Sequence, residues 1–447
     1  MTLRYVSPGS RCSFAIFAGV GLIAAWVIWG GQAKQSDLAS AARSSLRKPS
    51  GAPQLVSVQP LPGIEGPLCE WVPASAQTRL VASLWQERAG APTADARRSV
   101  DADRNPIRVI RDTYPTFSSA VLDPVRNEIV ANDENLFQIM VYDRLANTPP
   151  TADFTEPKRM ISGPNTTLEF ECGIYVDPAT GDIYTLANDV GDRVAIFSRQ
   201  AEGDVAPNRV IHTPHGIYGI VADEERQEIF LSVQGGQVVV YDKKAAGDAK
   251  PLRVLRGPRT RLGGTHGIAI DTRKKLLFVA NHGNYRANEP SDGGRLEPSL
   301  ITIFPLDASG DIPPIRVIQG PTTQLNWPAL MYADAEHEEL FVANDGDDSI
   351  LVFRVTDGGD VAPIRVLKGP KTGLKYPGSV FVDTKNEELI VSNMGNHTIA
   401  VFPRTAKGNV APLRVIRAAP QGKLALTIVN PGGVDYDEKR EEILVPN

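Results

Sequence analysis

Short apolar runs of four to six residues recur from about residue 79 to the end of the chain, each closed by turn-forming residues. One stretch reads GSVFVD (Gly378 to Asp383), ELIVSN (Glu388 to Asn393) and TIAVF (Thr398 to Phe402). The stretch before it reads ALMYAD, ELFVAN and SILVF. Runs this short, rich in Val, Ile and Phe and bounded by turns, predict β-strands joined as hairpins. A fourth apolar phrase precedes each set: PIRVI at Pro106, PKRMI at Pro157, PNRVI at Pro207, PLRVL at Pro251, PIRVI at Pro314, PIRVL at Pro363 and PLRVI at Pro412. The intervals run from 44 to 63 residues. The first hairpin link always opens with aspartate, at Asp123, Asp177, Asp223, Asp271, Asp334, Asp383 and Asp437. An aspartate there bonds turn amides, which is a structural role.

Four antiparallel strands per unit at this spacing is the arithmetic of a propeller blade. The two ends supply the count. The last unit has two strands, GGVDYD (Gly432 to Asp437) and EILVPN (Glu442 to Asn447), and two orphan strands lie upstream, RLVASLW (Arg79 to Trp85) and PIRVI (Pro106 to Ile110). Joined, they make one closing blade that would satisfy the free edges of an open array. The expected fold is therefore all-β: a seven-bladed β-propeller of four-stranded antiparallel blades, its closing blade shared by N- and C-terminal strands, preceded by an N-terminal hydrophobic helix.

That helix is expected from SFAIFAGVGLIAAWVIW, Ser13 to Trp29, which carries no charge and follows Arg4 and Arg11. The pattern is that of a signal peptide or membrane anchor, with a small-residue site at Gly31-Gln32-Ala33 for cleavage. Lys34, Arg43, Arg47 and Lys48 follow the segment and oppose the usual positive-inside assignment. Export is still the expectation, to a periplasmic or extracellular location, with the membrane a partner if the segment is retained. The expected domain organisation is residues 1–33 as signal or anchor, 34–66 as a flexible linker rich in Ala, Ser, Gly and Pro, and 67–447 as the propeller.

Composition adds little to this picture. The chain of 447 residues is 42% hydrophobic and 22% charged, ample for a large core. A net charge of −5 without a basic face argues against a nucleic-acid partner. Of three cysteines, Cys12 lies beside the hydrophobic segment, and Cys69 and Cys172 pair or stay as thiols on grounds the sequence leaves open.

The phrases GxAPIRVIxGPxTxL, PxGIxVD and ELxVANxGxxSIxVF resemble bacterial NHL-type and related YVTN-type propellers, over roughly Arg79 to Asn447. The resemblance implies the propeller fold. It leaves function open, because such families include binding platforms, lactonases and lyases. Gluconolactonase-like propellers use a glutamate and asparagines around a channel metal, and the resemblance points to Glu171 and the recurrent asparagines, though no motif ties them to that role.

With strands A to D running antiparallel, the starts of A and C and the ends of B and D share one face, called here the A-start face. A site is expected there. Strand B ends in asparagine at Asn132, Asn188, Asn281, Asn344 and Asn393, a recurrence that suits closing the B–C turn. Departures from the repeat are more informative. His212 and His215 stand in RVIHTPHGIYG, His266 in GGTHGIAID and His282 in VANHGN. Because A and B are antiparallel neighbours, His266 and His282 should meet near the channel mouth. The B–C link Gly283 to Ser299 is long, polar and Gly-rich, and NDGDDS with NDVGDR adds acidic turns at Asp345, Asp347, Asp348, Asp189 and Asp192. The candidate ligand-binding residues are His215, His266, Asn281, His282, Asn344 and Asp345. His266 and His282 are the candidate ligands of a divalent metal such as Zn, and the acidic turns offer hard oxygen ligands to Ca. No GxSxG, HExxH, GxxxxGK[ST] or CxxC is present. The first functional reading is a cell-envelope or secreted binding or scaffold module for a protein, glycan or small ligand. The alternative is a metal-dependent lactonase-type hydrolase or lyase at the channel mouth. The oligomeric state is left open.

Overall fold

The computed structural model describes residues 112–188, 191–283 and 298–426, together with the strand backbones Asp435–Asp437 and Glu442–Leu444. Two compact units divide the chain: Met1–Asn105 with Tyr436–Glu442, and Pro106–Asp435 with Ile443–Asn447. The first lies almost wholly outside the described residues, as do the hydrophobic segment, the linker, Cys69 and the orphan strands at 79–85 and 106–110. The architecture below is that of the second.

Twenty-four strands form six four-stranded antiparallel sheets, each ordered A-B-C-D along the chain. The innermost strands are Phe117–Asp123, Glu171–Val176, Ile217–Asp223, Thr265–Asp271, Pro328–Asp334 and Pro377–Asp383. Each is irregular in register where it begins, for example between Thr265 and Ile268. A bulge there bends the strand start away from the ladder. The six aspartates behave as the repeat predicts. Asp123, for instance, accepts the Val125 and Arg126 amides at 3.0 and 3.1 Å and closes the A–B turn.

The expected seventh blade is not part of this ring. Six interblade cores exist, one for each pair of adjacent blades, and the sixth joins the last blade to the first. There Ile390, Ile399 and Val401 pack with Ala120, Ile129 and Tyr142. Hydrogen bonds cross the same seam: the Ala120 amide to Ser379 Oγ at 3.0 Å, and the Thr148 amide to the Val415 carbonyl at 2.8 Å. His397, fully buried, bridges this seam as well: its Nδ1 donates to the Pro115 carbonyl at 2.7 Å, and its Nε2 lies 3.1 Å from Asp112 Oδ2. Direct contact between first and last blades leaves no gap for another. The propeller has six blades, and Asp435–Asp437 and Glu442–Leu444 pair as a two-stranded sheet. The described residues contain no α-helix, so the expected N-terminal helix falls on residues outside them.

Candidate functional site

The A-start face carries a run of flat rings contributed by three consecutive blades. Tyr218, at the start of strand A in blade 3, meets His266 edge to face with centroids 4.3 Å apart. His266 starts strand A of blade 4 and stacks on His282 at 3.6 Å, with 24° between planes. His282 follows strand B of that blade and lies 5.2 Å from Trp327, in the D–A link of blade 5. The antiparallel A–B pairing of blade 4, which sets Thr265 opposite Asn281, brings the two histidines together as the sequence expects. Sequence reasoning did not single out Tyr218 or Trp327. Their signal was an aromatic residue at a strand start, which reads equally as core.

Both imidazoles are uncharged at neutral pH. Burial pushes His266 down to about 4 against the hydrogen bond to the Gly264 carbonyl, and burial with the neighbouring His266 holds His282 well below its ordinary value. Since a carbonyl only accepts, His266 Nδ1, 2.8 Å from the Gly264 oxygen, carries the proton and donates. Its Nε2 faces the Gln234 amide at 3.4 Å. Trp327 is about half exposed (49%) and adopts a left-handed backbone, φ 53°. Tyr376 occupies the corresponding place in blade 6, exposed, at φ 43°, with Lys375 Nζ 4.2 Å from its ring centroid.

The other candidates take separate positions. His215 is exposed and bonds Asp192 at 2.9 Å, while His212 bonds Asp248 at 2.7 Å. Asn281 and Asn344 are buried; their side-chain oxygens accept the Gly263 and Asn326 amides at 2.9 and 2.7 Å. These asparagines pin the incoming D–A link, and Asn344 also closes the B–C turn as the sequence suggested, its Nδ2 donating to Ser349 Oγ at 2.9 Å. Asp345 opens a 3₁₀ turn, and burial beside Asp348 raises it to about 7. Asp347 and Asp348 pair with Lys368 and Lys375 at 2.6 and 3.1 Å. Asp189 and most of the long B–C link, residues 284–297, lie outside the described residues. Glu171 is buried and receives hydrogen bonds from Thr185 Oγ1 and the Glu169 amide, and Cys172 accepts one from Asn188 Nδ2 at 3.3 Å.

For a metal, the donor set has a poor arrangement. Stacked imidazoles aim their in-plane lone pairs alongside one another rather than at a common point. Among the described residues no group of three or more His, Cys, Asp or Glu side chains converges.

No family model matches the chain, and no curated protein matches it. Among solved structures it is similar to Kuenenia stuttgartiensis hydrazine synthase, at 12% identity and a TM-score of 0.45, over 67% of this chain and 99% of that one. It is also similar to the β-propeller domain of Myceliophteria thermophila Cps50 (Swd1), at 11% identity and a TM-score of 0.44, over 71% of this chain and 89% of that one. The chain is a β-propeller, a fold commonly used as a binding or scaffold module.

Proposed function

We propose that this propeller is a non-enzymatic binding module, that its recognition surface is the A-start face of blades 3 to 6, and that it is a distant relative of the NHL- and YVTN-type propellers. The repeated phrases support the last point. One observation carries the binding reading: the Tyr218–His266–His282–Trp327 run is uncharged and ends in a half-exposed indole. The half-exposed indole, backed by the buried imidazole stack, offers a rigid flat surface to a ligand with a flat apolar face, such as a sugar ring or a proline- or aryl-bearing peptide. Rigid aromatic anchors lose little conformational freedom on binding, which is why they dominate binding energies. The stacked geometry of the imidazoles favours this over the metal-dependent hydrolase or lyase.

The test is retention of the purified protein on immobilised glycans and peptides. A ligand found in this way should bind about tenfold or more weakly to Trp327→Ala and His282→Ala, with the fold unchanged. Equal binding by Trp327→Ala would place recognition elsewhere. Stoichiometric zinc that disappears in His266→Ala would make the metal enzyme the better reading.

The hydrophobic run Ser13 to Trp29 supports a second part of the proposal, that the propeller works outside the cytoplasm. A C-terminal reporter active only after export should be active. Activity of a cytoplasmic reporter alone at the same point would mean that Lys34 to Lys48 set the topology.

A further inference from the structure

The six inner strands enclose a cavity of about 480 Å³ along the axis of the ring. Its lining runs from Ser119, Gly173, Leu330 and Ser379 to the A–B turns, where Glu224 and Glu336 stand. No residue of the aromatic run contributes to it, so it opens on the face opposite the surface described above. Crowding explains why it ends where it does. A Cβ on Gly267 would run into the Ala329 carbonyl of the next inner strand, and one on Gly219 would come within 2.8 Å of the His266 carbonyl. The strand starts are therefore in backbone contact. Leu330 is the one large side chain at a level where the other five strands carry serine or glycine, and it lines the inner end.

Beyond that level the walls are apolar and partly aromatic, with Tyr332 and Phe381 edge to face at 4.9 Å. The two tyrosines on the wall differ. Tyr175 gives its hydroxyl hydrogen to Glu224, whose carboxylate Lys243 holds at 2.6 and 2.8 Å. The Tyr332 hydroxyl has no hydrogen-bond partner among the described residues. Burial pushes it up to about 12, so it keeps its proton and remains a donor at neutral pH.

We propose that this channel is a binding site for a small, uncharged molecule with a flat ring system and a hydrogen-bond acceptor, its rings against Phe381 and Val221 and its acceptor on the Tyr332 hydroxyl. The volume lies in the range of small-molecule sites, and such sites are apolar with a few placed polar groups. A single donor in an otherwise apolar wall fixes the orientation of a ligand whose acceptor pairs with it. The site is separate from the A-start face, so either proposal can fail alone.

The probe is prodan, a neutral naphthalene ketone whose emission shifts to the blue when its carbonyl loses a hydrogen bond. The full chain should bind one equivalent saturably. Val221→Trp and Val121→Trp, which fill the channel from two blades, should weaken binding about tenfold or more. Tyr332→Phe keeps the packing and removes only the donor, so it should weaken binding and shift the bound emission to the blue, which tests the site even if the tryptophan variants misfold. In the Trp327→Ala background, which removes the flat ring of the opposite face, the channel equivalent should remain and keep its emission. Absence of saturable binding, an unshifted Tyr332→Phe spectrum, or loss of binding in Trp327→Ala would each overturn the assignment.

Discussion

Glu171 begins strand A of blade 2 out of contact with solvent, and burial raises its carboxyl to about 7 even though the Thr185 hydroxyl and the Glu169 amide bond it. The charged form is thus disfavoured in the folded state. A carboxyl whose folded value lies above its unfolded value is fully compatible with folding below the unfolded value, about 4.3, and costs stability as pH rises from there through about 7. Glu171→Gln should therefore unfold at higher denaturant than wild type at pH 8, by up to roughly 3 kcal/mol, with the difference vanishing near pH 4. Denaturant melts of both proteins across that range are the measurement. An equal difference at both pH values would show that packing, not ionisation, distinguishes them. The asparagines illustrate the same point about single residues. Asn281, Asn344 and Asn393 each accept an amide of the incoming D–A link, at 2.9, 2.7 and 3.2 Å. Their recurrence reflects a shared structural task, and the histidine pair, which occurs once, is what distinguishes blade 4.

Elements explain the repeated phrases. In PxRV the arginine of strand D reaches across strand C to a glutamate that begins strand B. Arg253 meets Glu228 at 2.8 and 2.6 Å, Arg365 meets Glu339 at 2.5 and 2.7 Å, and Arg414 meets Glu388 at 2.8 Å through both nitrogens. Bidentate pairs of this kind fix orientation as well as adding energy. Blade 2 has no glutamate at that place, and there Arg209 bonds the Tyr184 hydroxyl at 3.0 Å instead. In GPxT the threonine hydroxyl returns a hydrogen bond to the glycine carbonyl at 2.6 Å, as at Gly257 and Thr260. That glycine has φ 135°, a conformation open to glycine and costly for other residues. The following amide, that of Arg259, bonds Asp311 in the next blade at 2.8 Å. The phrases are therefore clasps within and between blades, which is why they recur where no ligand is involved.

At the scale of the molecule, closure of the ring rests on packing and on a charged clamp at the seam. Glu388 of blade 6 takes both Arg414 of its own blade and Arg144 of blade 1, the latter at 2.8 Å, and all three side chains are largely buried. Hydrogen bonding from Arg414 and then the charges of Arg414 and Arg144 hold Glu388 below the ordinary glutamate range against the opposing effect of burial. A depressed carboxyl contributes stability above its unfolded value and loses it as pH falls through the folded value. Glu388→Ala should destabilise the propeller by roughly 3 kcal/mol at pH 7, because two arginines lose their partner in a region of low exposure. The deficit should shrink below about pH 4, where wild type loses the same charge. Chemical denaturation at pH 7 and well below pH 4 checks both statements; a deficit independent of pH would show that the clamp does not act through its charge.

The sequence alone determined the strands, their grouping in fours and the antiparallel A–B pairing that joins His266 to His282, because alternating apolar positions and turn residues act over a few neighbours in the chain. Those interactions are local, and a repeat displays them seven times over. The number of blades in the ring was decided by tertiary structure. Whether blade 6 meets blade 1 depends on the angle between packed sheets, which no single repeat encodes, and a count of phrases at the two ends pointed to one blade too many. Only the fold showed that Tyr218 and Trp327, on either side of blade 4 and more than a hundred residues apart, lie on one run of rings with the two histidines. Only the fold could show, too, that the inner strands crowd at their starts and open toward the A–B turns, since a cavity is a property of six strands at once.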